Sequence, residues 1–380
     1  MSAAYADEAY EIWLANALGA GSDYTAAVAE FGSARGFFEA SEIEWRMLGI
    51  LKPAQLERLL KRDIARASKA AQICKNNSWH IISQTCEYYP HHLKNITDSP
   101  ALLYVNGNPE CLKARLTVSV VGARDASRYG KEVAYRLAAS LARAGATVIS
   151  GGALGIDSAS HEGAISAGGK TVAVMGCGLG ASYLSENEAL RNSVSQNGAV
   201  ISEYYPLSAP SRGSFPMRNR IISGMSLATV IIEAGEKSGS LGTAKHAINQ
   251  GRDVCAVPGD AISSAYIGSN ILIANGAKPV FSAADVLSDY AYMYPELIDL
   301  EKLERTLAPS ADAAPVKQRT PDNLNKTQSD VYALFGTDPI AYDTLVIKSG
   351  LTAPELSAVL TELEIEGVIT ACPGNRYQII

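Results

Sequence analysis

The chain lacks any Cys-x-x-Cys pair. Its six cysteines, Cys74, Cys86, Cys111, Cys177, Cys255 and Cys372, are scattered, and no histidine stands beside them at ligand spacing. That pattern gives neither a zinc site nor a disulfide framework, and it fits a reducing cytosol. No apolar run reaches membrane-spanning length, and the first residues, Met-Ser-Ala-Ala-Tyr-Ala-Asp-Glu, are acidic where a secretion signal would be basic. A G-x-G-x-x-G fingerprint is absent after the first core strand, which removes the usual mark of a dinucleotide site. Net positive charge is absent too. The formal charge is −6, so a polyanionic partner would have to be met by a local basic groove. The expectation is a soluble cytoplasmic protein with no membrane span, no metal and no cofactor.

What is present is enough chain, 380 residues, for two or three domains. Residues 1–75 carry apolar positions at helical spacing, as in Ala9 to Leu18 and Gln55 to Ile64, punctuated by Gly19, Gly32 and Gly49. They read as a small helical domain. Its basic residues Arg58, Lys61, Arg62, Arg66 and Lys69 read as a solvated helix face. Residues 76–295 alternate short β-branched runs with helical intervals. Thr117 to Val121, Ala146 to Ile149, Thr171 to Met175, Ala199 to Ser202, Ala228 to Ile232 and Val254 to Val257 are the expected strands of a parallel, doubly wound α/β sheet covered on both faces. Residues 296–325 read as a linker, and 326–380 as three helical segments and a two-stranded wing turned at Pro373-Gly374-Asn375, a winged helix.

The candidate site residues lie where strands end. Gly122 permits close backbone approach and Arg124 would project into the crevice at the strand's C-terminal end. Ser150, Gly151 and Gly152 open a loop whose N–H groups could form an anion nest. Asp157 reads as a helix cap and His161 as a packed histidine. Ser238, Gly239 and Ser240 present hydroxyls and N–H groups at a helix N-terminus. Arg218, Asn219 and Arg220 place two guanidinium forks where another helix begins, suited either to phosphates or to internal ion pairs with Glu203 or Glu233. Lys170 precedes its strand and, on position alone, reads as a surface lysine.

Taken together, Val121-Gly-Ala-Arg124, Ser150-Gly-Gly-Ala-Leu-Gly-Ile-Asp-Ser-Ala-Ser-His161, Ser202-Glu-Tyr204, Phe215-Pro-Met-Arg-Asn-Arg-Ile-Ile-Ser-Gly224, Ser238-Gly-Ser-Leu-Gly-Thr243 and Gly251-Arg-Asp-Val-Cys-Ala-Val-Pro-Gly259 closely resemble the DNA-processing protein A family (DprA, or Smf). Ala123, Gly180 and Leu184 depart from that family's usual Ser, Asp and Pro. The resemblance implies an extended Rossmann core with a SAM-like helical domain before it. It further implies a non-enzymatic protein that binds single-stranded DNA, dimerises, and loads the recombinase RecA during natural transformation. By motif position it makes Arg124, Lys170, Arg218 and Arg220 DNA-binding residues.

A competing class is a nucleotide-processing phosphoribohydrolase of the LOG type, which carries a carboxylate shortly after a Gly-Gly-x-Gly-Thr loop. Here Gly242-Thr243 is followed by Ala244-Lys-His246, with no acid in the next turn, and Glu233 is the only acid near enough to suspect. The candidate recognition helix of the winged segment, Thr352 to Gly367, holds Glu355, Glu362, Glu364 and Glu366 and no basic residue. Carboxylates repel a phosphate backbone, so this segment is expected to be a protein-docking or structural module.

Overall fold

The computed structural model describes residues 6–303, 307, 324–336, 339–372 and 374–379. Two compact units divide the chain, Met1–Leu307 and Ala308–Ile380.

The first unit is built on one nine-stranded sheet. Its strands are β1 (His80–Ser83), β2 (Leu102–Gly107), β3 (Thr117–Val121), β4 (Thr147–Ser150), β5 (Thr171–Met175), β6 (Ala199–Ser202), β7 (Ala228–Ile231), β8 (Asp253–Ala256) and β9 (Lys278–Pro279), in the order β1-β2-β6-β5-β4-β3-β7-β8-β9. The β-branched runs become the central parallel strands because both of their faces are covered. In β3, β4, β5, β6 and β7 every residue is buried. One face packs Val118, Val120, Val148 and Val230 against Ala134, Leu137 and Leu141 of the helix Arg128–Arg143. The other packs Val121, Ile149, Val172 and Val174 against Ile221 and Ile222 of the helix Ser214–Gly224 and Ala244 of the helix Ser240–Asn249.

The sheet is parallel only from β6 to β9. β1 and β2 pair antiparallel, and β2 joins β6 antiparallel through Tyr104↔Ser202 and Val105↔Ile201. Six N-terminal helices, from Asp7–Leu18 to Ile64–Asn76, lie on this edge. Their core of Trp13, Phe37, Trp45 and Leu59 continues into Ala101, Leu102 and Tyr104, so helices and β2 share one apolar layer.

From β3 the chain first steps outward through β4, β5 and β6, then returns to the other flank of β3 with β7 and β8. That reversal puts a topological switch point between β3 and β7, the place where loops from neighbouring strands diverge. The C-terminal loops of β3 to β8 form a crest along this edge of the sheet. Much of the expected linker, residues 304–306 and 308–323, lies outside the described residues. Within the first residues of that expected linker, Ile298 is buried in the core of the first unit, so the packed domain runs on past residue 295.

In the second unit the helices Lys326–Tyr332, Tyr342–Ser349 and Ala353–Ile365 bury Val331, Leu345, Leu356, Leu360 and Leu363. Strands β10 (Ile340–Ala341), β11 (Ile369–Cys372) and β12 (Arg376–Ile379) form a sheet in the order β10-β12-β11. The expected two-stranded wing therefore gains a third, very short strand. Pro373 lies outside the described residues, while Asn375 takes the left-handed conformation that a tight turn requires, with φ 52°.

Candidate functional site

The switch-point crevice, where doubly wound sheets hold nucleotides, is closed by the protein itself. Glu233, two residues past the end of β7, is buried; its carboxylate accepts hydrogen bonds from Ser127 N at 3.0 Å, Ser127 Oγ at 2.5 Å and the Tyr266 hydroxyl at 2.8 Å. Ala123 N donates to Glu233 O at 2.8 Å. An acid surrounded by donors in this way is an anchor, and it ties the β3 and β7 loops together.

The glycine-rich loops are interlocked as well. Gly151 N and Ala153 N donate to Asp157 Oδ2 at 3.1 and 3.3 Å, so this carboxylate gathers the preceding loop, whereas its own helix is capped at Gly155 with no side-chain bond. Burial raises the Asp157 pKa, and Arg218 and these N–H donors pull it back. Arg218, only 4% exposed, donates through Nη1 to Gly151 O at 2.7 Å and to Val174 O. Burial first, and then Arg218, push His161 down to about 3; its Nδ1 meets Thr171 Oγ1 at 2.7 Å. It is the packed, neutral histidine that the sequence suggests. Gly178 N and Gly180 N donate to Ser208 O and Pro206 O. The expected anion nests are thus largely occupied by internal acceptors.

Above this floor stands a pair of rings. Phe215, in the first turn of the helix Ser214–Gly224, lies over Gly176 so closely that a Cβ there would come within 2.7 Å of its ring. The Tyr183 ring is 5.1 Å from it, tilted by 38°. The Arg124 guanidinium sits 5.0 Å from the Phe215 centroid and that of Arg218 6.0 Å away. Arg124 is exposed and has no ion-pair partner among the described residues. Its charge faces water over an aromatic ring, an arrangement that offers a phosphate a cation and a base a stacking face.

Gly122, Arg124, Gly151, Gly152, Arg218 and Asn219 come together at this crest. Asn219 Nδ2 reaches Gly239 O at 3.3 Å, which brings the Ser238-Gly239-Ser240 turn beside the same helix; the two serine hydroxyls bond each other at 2.8 Å. The structure places three other candidate residues away from the crest surface. Ser150 is buried and spends its hydroxyl on Val120 O at 2.7 Å. Arg220, 1% exposed, turns inward to pair with Glu203 at 2.7 Å and Asp98 at 3.1 Å. Lys170 is exposed at the N-terminal end of β5, roughly 16 Å, one strand length, from the crest. Sequence reasoning passed over Phe215 and Tyr183 as site residues. The signal was there in Phe215, which precedes Arg218 by three positions and so shares its helix face.

In the second unit the helix Ala353–Ile365 is acidic where it is exposed. Glu355 closes a capping box on Thr352, and Glu362 accepts from Gln328. Among the described residues of this unit only Lys326, Lys348 and Arg376 are basic. No helix among the described residues is long and apolar enough to cross a membrane.

The family model described as DNA recombination-mediator protein A matches residues 80–291, and that of the DprA winged helix domain matches residues 315–375. The DNA processing protein DprA of Bacillus subtilis is 36% identical over 240 residues, covering 63% of this chain and 80% of the relative. Among solved structures, DNA processing protein A of Streptococcus pneumoniae aligns with a TM-score of 0.64 at 34% identity, over 74% of this chain and 97% of that one. The Helicobacter pylori protein, whose structure is described as giving its single-stranded DNA binding mode, aligns with a TM-score of 0.52 at 29% identity, over 57% of this chain and 97% of that one.

Proposed function

The chain belongs to the DNA recombination-mediator protein A family, and on that premise we propose that it binds single-stranded DNA along the loop crest of its first unit, as a cytoplasmic step in handling incoming DNA. The observation that carries the reading is the exposed Arg124 guanidinium standing over Phe215, with Arg218 behind the same ring. Unpaired bases need a stacking face and phosphates need cations, and a duplex offers its base faces to neither. Delivery of the strand to RecA and action as a homodimer are the finer parts of the proposal; the family likeness supports them.

We read no catalysis into the crest. Glu233, the one acid suspected of hydrolytic work, is occupied as the anchor of Ser127 and Tyr266, and a group that already accepts several hydrogen bonds is poorly placed to exchange protons with a substrate.

Gel-shift titrations with single- and double-stranded oligonucleotides at two salt concentrations test the reading. The single strand should be preferred, and Arg124→Ala should weaken it and flatten the log–log salt slope by roughly 0.7, the share of one phosphate contact. If Arg124→Ala combined with Phe215→Leu changed neither affinity nor slope, the crest would not be the binding surface.

A further inference from the structure

We propose that Tyr129 is a second base-stacking contact, so that a single strand is gripped at two separated points on the crest, at Phe215 and at Tyr129. The inference rests on the crest being a single-strand surface and adds where the strand runs. Tyr129 lies in the first turn of the helix Arg128–Arg143 and is 57% exposed. Its ring meets Tyr266 edge-on, centroids 6.2 Å apart and planes at 65°. Tyr266 is in turn fixed by its hydroxyl to Glu233. The exposed ring therefore stands on a rigid support.

Isolated apolar side chains on a surface are ordinary; the surroundings of this one are not. The helix N-terminus beneath it has no acid in its first turn, and Arg128 and Lys131 flank it. Arg128 Nη1 is buried without a hydrogen-bond partner among the described residues. The nearby acids are Glu233, which is buried and occupied by Ser127 and Tyr266, Asp125, which is exposed, and Glu132, which is tied to Arg136. Between the two rings the crest exposes Arg124 and Leu154. Cations thus alternate with apolar faces, which suits a chain of alternating phosphates and bases.

Phe215 covers the end of β5, whereas Tyr129 follows β3 and leans toward the β8 loop through Tyr266. The two rings are separated by two to four strand spacings, roughly 10–20 Å. A short oligonucleotide reaches one ring and a longer one reaches both.

The test uses the full chain and fluorescence anisotropy with oligothymidylates of about 4 to 16 nucleotides, the range of known site sizes. Tyr129→Ala should leave the shortest oligomers that bind unaffected and weaken the longer ones about five- to 150-fold, the worth of one stacked base. Tyr129→Phe should bind as the wild type does. A 5-iododeoxyuridine oligomer of the longer kind should photocrosslink to residue 129. Equal affinity of Tyr129→Ala and wild type at every length overturns the proposal, as does an equal loss at every length, which would make Tyr129 part of a single site. Wild-type protein that binds no single strand at all would instead sink the underlying reading of the crest, and Phe215→Leu separates the two by acting on short oligomers.

Discussion

Replacing Arg220 by Met removes a charge and keeps the apolar stem, and the structure says this should be felt in stability without being felt in DNA binding. Arg220 donates to both Glu203 oxygens, at 2.7 and 2.8 Å, and lies 3.1 Å from Asp98. Without it Glu203, whose side chain is 22% exposed, keeps most of its burial and loses its counter-ion. Breaking a fully buried pair costs about 3–5 kcal/mol, and the partial exposure here brings that down to about 2–4 kcal/mol. For a unit of about 300 residues, with an unfolding entropy of roughly 2.1 cal/mol/K per residue, the thermal midpoint should fall by roughly 3–6 °C. The loss depends on pH with a definite sign. Burial already raises the Glu203 pKa, and Arg220 counters part of it; in Arg220→Met the pKa rises further above its unfolded value. A protonated Glu203 needs no partner, so the gap between variant and wild type should narrow toward acid pH and widen toward neutral. Thermal scans across that range, with Glu203→Gln/Arg220→Met as the compensated control, measure it. Single-strand affinity below the melting range should stay within about twofold of wild type, because a guanidinium only 1% exposed and turned toward Glu203 and Asp98 is out of reach of a phosphate. An unchanged midpoint, or a large loss of affinity by a variant that stays folded, would refute the internal role given to Arg220.

Burial first, then Glu8 and Asp7, raise Glu11 to about 7. A carboxyl raised in the folded state binds more protons there than when unfolded. Stability should therefore fall as pH rises from about 4.5 to 7 and level off above; in Glu11→Gln that slope should be lost, as pH-dependent urea midpoints would reveal. Truncation after Asn325 should leave single-strand affinity nearly intact, since the exposed recognition helix carries only acids; a tenfold loss in anisotropy titrations would show that the second unit grips DNA.

The six β-branched runs read in the sequence are strands β3 to β8, with ends displaced by a residue or so. They were legible because buried parallel strands need unbroken apolar stretches. The antiparallel edge was not: His80 to Ser83 and Leu102 to Gly107 are short, and nothing in a short run tells which neighbour it pairs with or in which direction. The arginines divide the same way. Residues two apart on a helix do not share a face, so Arg218 and Arg220 could not both meet one ligand, a point the spacing itself contains. Both are buried, Arg218 on the carbonyls of Gly151 and Val174 and Arg220 on Glu203 and Asp98, partners distant in sequence and brought close only by the fold. Lys170, by contrast, was legible from its place just before a parallel strand, which puts it at the edge opposite the crest.

The glycines of the crest are filled by neighbours: Gly155 by the carbonyls of Ala123 and Arg124, Gly176 by the Phe215 ring, Gly178 by the carbonyls of Tyr205 and Pro206, Gly151 by Asp157 and Arg218. Their smallness lets loops mesh, and meshed loops have little freedom left to lose. When a strand settles on such a surface, the ordering entropy is lost almost wholly by the nucleic acid, the more flexible partner. On the proposed reading the DNA adapts to a contour fixed beforehand, so sequences that unstack easily should be held more tightly than those that stack strongly.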